Sequence, residues 1–401
     1  MAEPAASTLI RHFGGQTIND NGKGIDVNPS IAIVLLALLS VAACAQGGVA
    51  GSVEISQPFW KSPVMTGESV LFVKRGGKSV TGNVLFSPTR IIEIRSSSGA
   101  IKYQAGKDYQ FKPGSNVITI PSGSAIPVAT LKQLIPALGT QPFDLRRRDG
   151  KGDILFGATH EYADMQVEVT YEHEPAAWKP APPAFAKREI PLVLKKLATG
   201  EPVSIVFFGD SITEGGNASK LSNVAPFMPA YPELTVRNLE RAYKSKITFK
   251  NFSVGGMTAD YGVKNIEKVA SEKADLVVLA WGMNDSSGKT PRSTRDFIQD
   301  IAVQIGAVLK QRQDTEFILV SSMLPNADCH WANPQALLEY RDAMRTRAGH
   351  GVVVADLTTV WEEILKTKYY LDFTGNGVNH PNDFGHRLYA EVLSALLIKQ
   401  D

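Results

Sequence analysis

The sequence predicts a two-part chain, an all-β sandwich or jelly roll over residues 55–174 and then an α/β domain over residues 192–401 built as a doubly wound, three-layer parallel sheet. Three observations predict it. Beyond residue 192, apolar runs alternate with amphipathic stretches at spacings of about 30 to 45 residues, which suits right-handed βαβ units. Before residue 175, short β-rich runs are separated by turn residues. Between the two lies a stiff proline-rich stretch, residues 175–191, containing Pro180-Ala181-Pro182-Pro183.

Composition sets the outer bounds. A chain of 401 residues, 43% apolar and 20% charged, can bury two cores, and a formal charge of +2 argues against nucleic acid or an anionic membrane as the main partner. From Ile31 to Ala45 every residue but Ser40 is apolar. As a helix this run rises only about 22 Å, short of a hydrocarbon core, so residues 1–50 read as an export segment rather than a membrane span. Two exits follow it. Ala43-Cys44-Ala45 offers a small-x-small cleavage pattern, while Val41-Ala42-Ala43-Cys44 resembles a lipobox in which Cys44 would carry a lipid anchor. Either exit implies an exported protein.

In the β-region, expected strands cover residues 69–73, 83–86, 90–95, 116–120, 153–156 and 165–171, with one helix near residues 128–138. The stretch 165–171 alternates apolar and polar side chains, as a half-buried strand does. His160, Glu161 and Asp164 lie close in sequence but read as solvated polar positions rather than as a metal site. Trp178, within the connector, reads as an anchor between the two parts.

In the α/β region, residues 203–208, 248–254, 275–281, 316–321 and 352–356 read as five parallel strands. Amphipathic stretches near 230–244, 263–271, 294–312, 334–347 and 384–399 read as the helices between and after them. The chemistry stands at the strand ends. Gly209-Asp210-Ser211 follows the first strand, Gly255-Gly256-Met257-Thr258 the second and Gly282-Met283-Asn284-Asp285 the third, while His380 precedes the last helix. In an open α/β sheet all carboxyl ends share one edge, so a hydroxyl, flexible glycine amides, an amide side chain and an imidazole would converge there. Asp210 reads as an organiser of its loop, Asp285 as a cap or a support for Asn284, and His386, six residues after His380 within an apolar helix pattern, as structural. Trp331, after the fourth strand, is a candidate wall of the substrate pocket.

These four blocks, Gly-Asp-Ser-Ile-Thr, Gly-Gly-Met-Thr, Gly-Met-Asn-Asp and His-Pro-Asn-Asp-Phe-Gly, resemble in order those of the SGNH, or GDSL-type, hydrolase family. The resemblance implies Ser211 as nucleophile, with its backbone amide, Gly256 and Asn284 as oxyanion donors and His380 as base. It also implies an esterase, and the β-region ahead of the hydrolase is an arrangement similar to that of some acetylxylan esterases. An acylated carbohydrate is then the expected substrate. A lysophospholipase, short-chain lipase or thioesterase, or an inactive polysaccharide-binding protein, are the alternatives.

One position departs from the family pattern. The family places its acid three residues before the histidine, where this chain has Gly377. Asp372, Asn376 or a backbone carbonyl is left to orient His380, and without an acid the site would be a Ser-His dyad. No cofactor or metal is expected, because the seven histidines form no H-x-x-x-H grouping and His330 beside Cys329 is only a pair.

Overall fold

The computed structural model describes residues 57–77, 79–174, 177–288 and 291–399. The expected export segment, residues 1–50, and Cys44 lie outside the described residues. The described residues fall within one compact unit, so the β-region and the α/β region are joined by packing as well as by the chain.

The β-region contains β1 (Val64–Leu71), β2 (Val73–Lys74), β3 (Val80–Asn83), β4 (Pro88–Ser96), β5 (Lys102–Tyr103), β6 (Gln110–Phe111), β7 (Val117–Ile120), β8 (Ala129–Thr130) and β9 (Gln166–His173). Two antiparallel sheets, ordered β1-β9-β4-β5 and β3-β7-β6, carry it, with β2 and β8 as a short parallel pair. The two sheets meet closely at Gly82, where a Cβ would stand 2.7 Å from both Val70 and Phe72 side-chain atoms. The helix expected near residues 128–138 is a single turn, α1 (Leu131–Leu134), capped by Thr130 and stopped ahead of Pro136.

The remainder alternates helix and strand: α2 (Pro191–Thr199), β10 (Val203–Gly209), α3 (Ser211–Glu214), α4 (Tyr231–Ala242), β11 (Ile247–Asn251), α5 (Ala259–Asn265), α6 (Glu267–Ala270), β12 (Leu276–Ala280), α7 (Thr294–Gln311), β13 (Glu316–Ser321), α8 (Pro334–Arg345), β14 (Val352–Asp356), α9 (Leu357–Ile364) and α10 (Asp383–Leu397). All five strands are parallel, in the order β11-β10-β12-β13-β14. Apolar side chains on both pleat faces require cover on both sides. Phe207 meets Tyr231 of α4 on one face, while Phe208 meets Tyr261 of α5 and Trp281 on the other. The strand order reverses between β10 and β12, and the crevice at their carboxyl ends is where such sheets bind ligands.

Buried polar groups fasten the β-region to this sandwich. Lys368, almost fully buried, pairs with Glu68 of β1 at 2.8 Å and donates to the carbonyls of Ser69 and Asn83. Arg387 of α10 donates to the carbonyls of Thr66 and Gly67. The Asn382 amide reaches Ser69 and Gln166, both at 2.9 Å. Trp178 packs edge-on against Phe59, whose N–H donates to Glu391 of α10. Such pairs fix register more than they add stability, since desolvating the charges offsets much of their attraction.

Candidate active site

β10 ends at Gly209, where a Cβ would stand 2.3 Å from the Ala280 carbonyl, so only glycine lets the chain leave the sheet beside β12. Asp210 then caps the next turn, its carboxylate accepting the Ile212 N–H at 3.0 Å. That cap places Ser211 as the first residue of α3, 9% exposed at the sheet edge.

His380 reaches Ser211 from the loop ahead of α10. Its Nε2 lies 2.8 Å from Ser211 Oγ. Its Nδ1 lies 2.8 Å from Oδ1 of Asn217. The orientation of that amide is decided by its other end, because Asn217 Nδ2 donates to the carbonyls of Gly157 and Gly375, each at 3.2 Å. With the amide nitrogen so committed, Oδ1 can only accept, His380 must carry its proton on Nδ1, and Nε2 is left as a lone pair facing the serine hydroxyl. Burial, together with the nearby His386, pushes the His380 imidazole down to about 4, so it rests neutral at ordinary pH. A neutral imidazole hydrogen-bonded to a hydroxyl can remove its proton.

The group on His380 Nδ1 is therefore Asn217, in place of Asp372, Asn376 or a backbone carbonyl. Asp372 is buried and accepts the N–H groups of Leu71 and Tyr369, both at 2.9 Å, beside Lys368. It belongs to the seam with the β-region. The Asn376 side-chain oxygen accepts three backbone N–H groups, from Val378, Asn379 and His380, at 2.9 to 3.0 Å, so it shapes the histidine loop without touching the ring. Asn217 stands six residues after Ser211, in Gly215-Gly216-Asn217, with no local pattern that marks it. Gly216 is needed because a Cβ there would lie 2.8 Å from His380 Nδ1. Asn217 sits at φ 61°, a conformation asparagine tolerates better than most residues.

The second and third blocks close on the same place. A Cβ on Gly255 would be 3.5 Å from the Ser211 Cβ, so this turn lies against the serine. Gly255 N–H is taken by Glu214 at 2.9 Å. Among the described residues the N–H groups of Gly256 and Ser211 have no protein partner. Asn284 donates its amide to the Met257 carbonyl at 2.9 Å, which sets it beside the same turn. Asp285 accepts from Ala259 N–H and Gly282 N–H at 2.9 and 3.0 Å and so holds the two blocks together. Two unengaged amides and an adjacent carboxamide can serve an oxyanion.

The other sequence candidates lie outside this cluster. His386 is buried, with Nε2 3.1 Å from the Gly216 carbonyl, and supports the turn that carries Asn217. His160 forms an exposed pair with Asp164. Trp331 packs on an apolar cluster of Leu145, Ile154, Cys329, Ala332 and Val378, and its carbonyl accepts from Gly288 N–H. It thus joins the loops that carry Asn284 and His380.

The α/β region is similar to known proteins. Residues 207–388 match the GDSL-like Lipase/Acylhydrolase family. The matched stretch takes in Ser211, Gly256, Asn284 and His380. Among solved structures, the chain is similar to a two-domain esterase active on acetylated mannans, at 24% identity over 53% of this chain and 55% of that one, with a TM-score of 0.42. The match thus spans about half of that esterase. A lipase/acylhydrolase from Enterococcus faecalis shares 21% identity over 48% of this chain and 93% of its own, with a TM-score of 0.38. The acetyl xylan esterase AlAXEase shares 20% identity over 48% and 98%, also at 0.38. No curated protein matches the sequence. Within the matched residues, the group on His380 Nδ1 is an amide carried on the serine's loop, with glycine at position 377 on the histidine's.

Proposed function

We propose that this chain is a GDSL-like hydrolase that cleaves carboxylic esters through an acyl-enzyme on Ser211, and that its substrates are O-acetyl groups on polysaccharide. The observation that carries the mechanism is the unbroken relay Ser211 Oγ, His380 Nε2, His380 Nδ1, Asn217 Oδ1, with both contacts at 2.8 Å. His380 takes the hydroxyl proton as Oγ bonds to the ester carbonyl carbon. The oxygen that becomes negative is met by Ser211 N–H, Gly256 N–H and the Asn284 amide, each worth on the order of 3 kcal/mol in such sites. The imidazolium returns its proton to the departing alcohol oxygen, and the C–O bond breaks. Water, deprotonated by the same nitrogen, then releases the acid and restores Ser211. Asn217 accepts the Nδ1 proton throughout and keeps the ring from turning.

The acetyl-polysaccharide assignment is supported by the export-type segment at residues 31–45 and by the β-region built into the same compact unit as the hydrolase. On this reading the protein is exported, with Cys44 as a candidate point of lipid attachment. A second reading, longer acyl chains, is favoured by Leu221 and Phe227, which stand 55% and 54% exposed on the loop that follows Asn217. Acetate release from acetylated xylan and hydrolysis of para-nitrophenyl esters from acetate to decanoate test both. Ser211→Ala is expected to lower turnover by at least about 10³-fold. Equal rates for variant and parent would overturn the mechanism, and preference for chains above about eight carbons would overturn the acetyl assignment.

A further inference from the structure

The β-region reaches into the catalytic relay through one residue, Gly157. Gly157 accepts from Asn217 Nδ2 at 3.2 Å, and its own N–H donates to the Asn376 backbone carbonyl at 3.1 Å. Asn217 holds the His380 ring, and Asn376 holds the His380 backbone N–H at 3.0 Å. One residue from outside the α/β domain therefore touches both supports of the base. The approach is close enough to demand glycine, since a Cβ on Gly157 would stand 2.5 Å from the Gly375 carbonyl and 2.8 Å from the Tyr162 ring. Tyr162 is fully buried and donates to the Leu155 carbonyl at 2.9 Å, which pins the segment from inside.

The same segment accounts for the missing acid. A Cβ on Gly377 would lie 2.2 Å from the Tyr162 hydroxyl and 2.6 Å from the Leu155 carbonyl, at a backbone φ of 82°. The space a carboxylate would need at that position is filled by the β-region. In exchange, the β-region supplies the carbonyl that, with Gly375, decides which end of the Asn217 amide faces the histidine. The two ends of an amide are nearly the same size, so only the partners of the nitrogen can make the choice.

We infer that residues 155–162 are a positioning strap for the catalytic base, which makes the β-region part of the catalytic apparatus rather than a separable module. The inference rests on the Ser211–His380 reading of the site. It makes the hydrolysis rate of a small ester, one with no polysaccharide to bind, depend on a residue of the β-region. The strap acts through Asn217, so its effect must vanish when Asn217 is absent.

A double-mutant cycle on the full chain tests this with para-nitrophenyl acetate. Gly157→Ala is expected to lower kcat about 5- to 10-fold with KM within about twofold, and to change kcat by less than about twofold in the Asn217→Ala background. Multiplying losses, a loss confined to KM, or an undiminished kcat in Gly157→Ala would each overturn the strap. Should Gly157→Ala fail to fold, Tyr162→Phe removes only the hydroxyl that pins the segment. It is expected to lower kcat about 2- to 5-fold in the parent, with no further loss in Asn217→Ala, and an unchanged kcat overturns the inference. Undiminished turnover by Ser211→Ala would instead overturn the Ser211–His380 reading itself, a failure that shows without the cycle and so stays distinct from failure of the strap.

Discussion

Replacing Asn217 by alanine removes the only group that contacts His380 Nδ1 among the described residues. The consequence follows from how the 2.8 Å bond changes during the reaction. In the resting enzyme it joins a neutral N–H to a neutral carbonyl oxygen, worth about 0.5 to 1.5 kcal/mol, and in the transition state it joins an imidazolium to the same oxygen, worth about 1.5 to 3 kcal/mol. Only the difference accelerates the reaction, about 1 to 2 kcal/mol, or about 5- to 30-fold. A freed ring also samples the other tautomer and other rotamers, so a total loss of about 10- to 100-fold in kcat is expected, with KM nearly unchanged. Loss of the two Nδ2 bonds to Gly157 and Gly375 should lower stability by about 1 to 2 kcal/mol, so the assay is run well below the melting temperature of each variant. Steady-state kinetics on para-nitrophenyl acetate give the answer. A loss below about threefold would mean that another group orients His380. A loss near 10⁴-fold, the scale seen when a triad carboxylate is neutralised, would contradict the small difference worked out for a neutral amide.

Three further outcomes follow from the same geometry. Asn284→Ala should lower kcat about 10²- to 10³-fold on the same ester while leaving the fold intact, and a loss under about fivefold would remove it from the oxyanion site. Because burial holds His380 near 4 and only the neutral ring is a base, kcat/KM should climb with pH through about 4 and stay level to neutrality, whereas an acid limb centred at 6.5 or above would contradict the buried, amide-held ring. Gly377→Asp, which installs the family's acid at its usual place, should destabilise by about 2 to 5 kcal/mol in urea titrations without raising kcat, because a side chain there meets Tyr162 and forces a strained φ; a stable, faster variant would refute that packing.

The α/β domain is legible because its strands are long and buried on both faces. The apolar runs 316–321 and 352–356 have the bounds of β13 and β14. Besides the single turn α3, two helices escape the pattern. α2 opens on Pro191, the last residue of the proline-rich stretch, and α9 follows β14 without an intervening loop, its apolar face merging with the strand's. In the β-region, residues 84–86 resemble a strand, but Leu85 N–H and Phe86 N–H are taken by the side chains of Glu68 and Tyr171 rather than by a ladder. Residues 153–156 mislead for a related reason. They are apolar because they pack beneath the histidine loop, with Ile154 and Leu155 bonding singly to Leu145 and Leu134. Both errors concern segments whose burial comes from another part of the chain, which periodicity cannot see.

The site divides the same way. Ser211, Gly256, Asn284 and His380 stand out because each sits in a block with its own local pattern at a strand end. Asn217 has no such pattern. Its role comes from two carbonyls, at positions 157 and 375, that only the folded chain brings together. A carboxylate near the histidine is the wrong charge on the wrong loop.

Covalent labelling tests the relay at its chemical centre. A fluorophosphonate ester should modify the parent at Ser211 alone, located by peptide mass analysis, and should label His380→Ala at least about 10³-fold more slowly. Labelling at another residue, or an undiminished rate without the imidazole, would contradict the account.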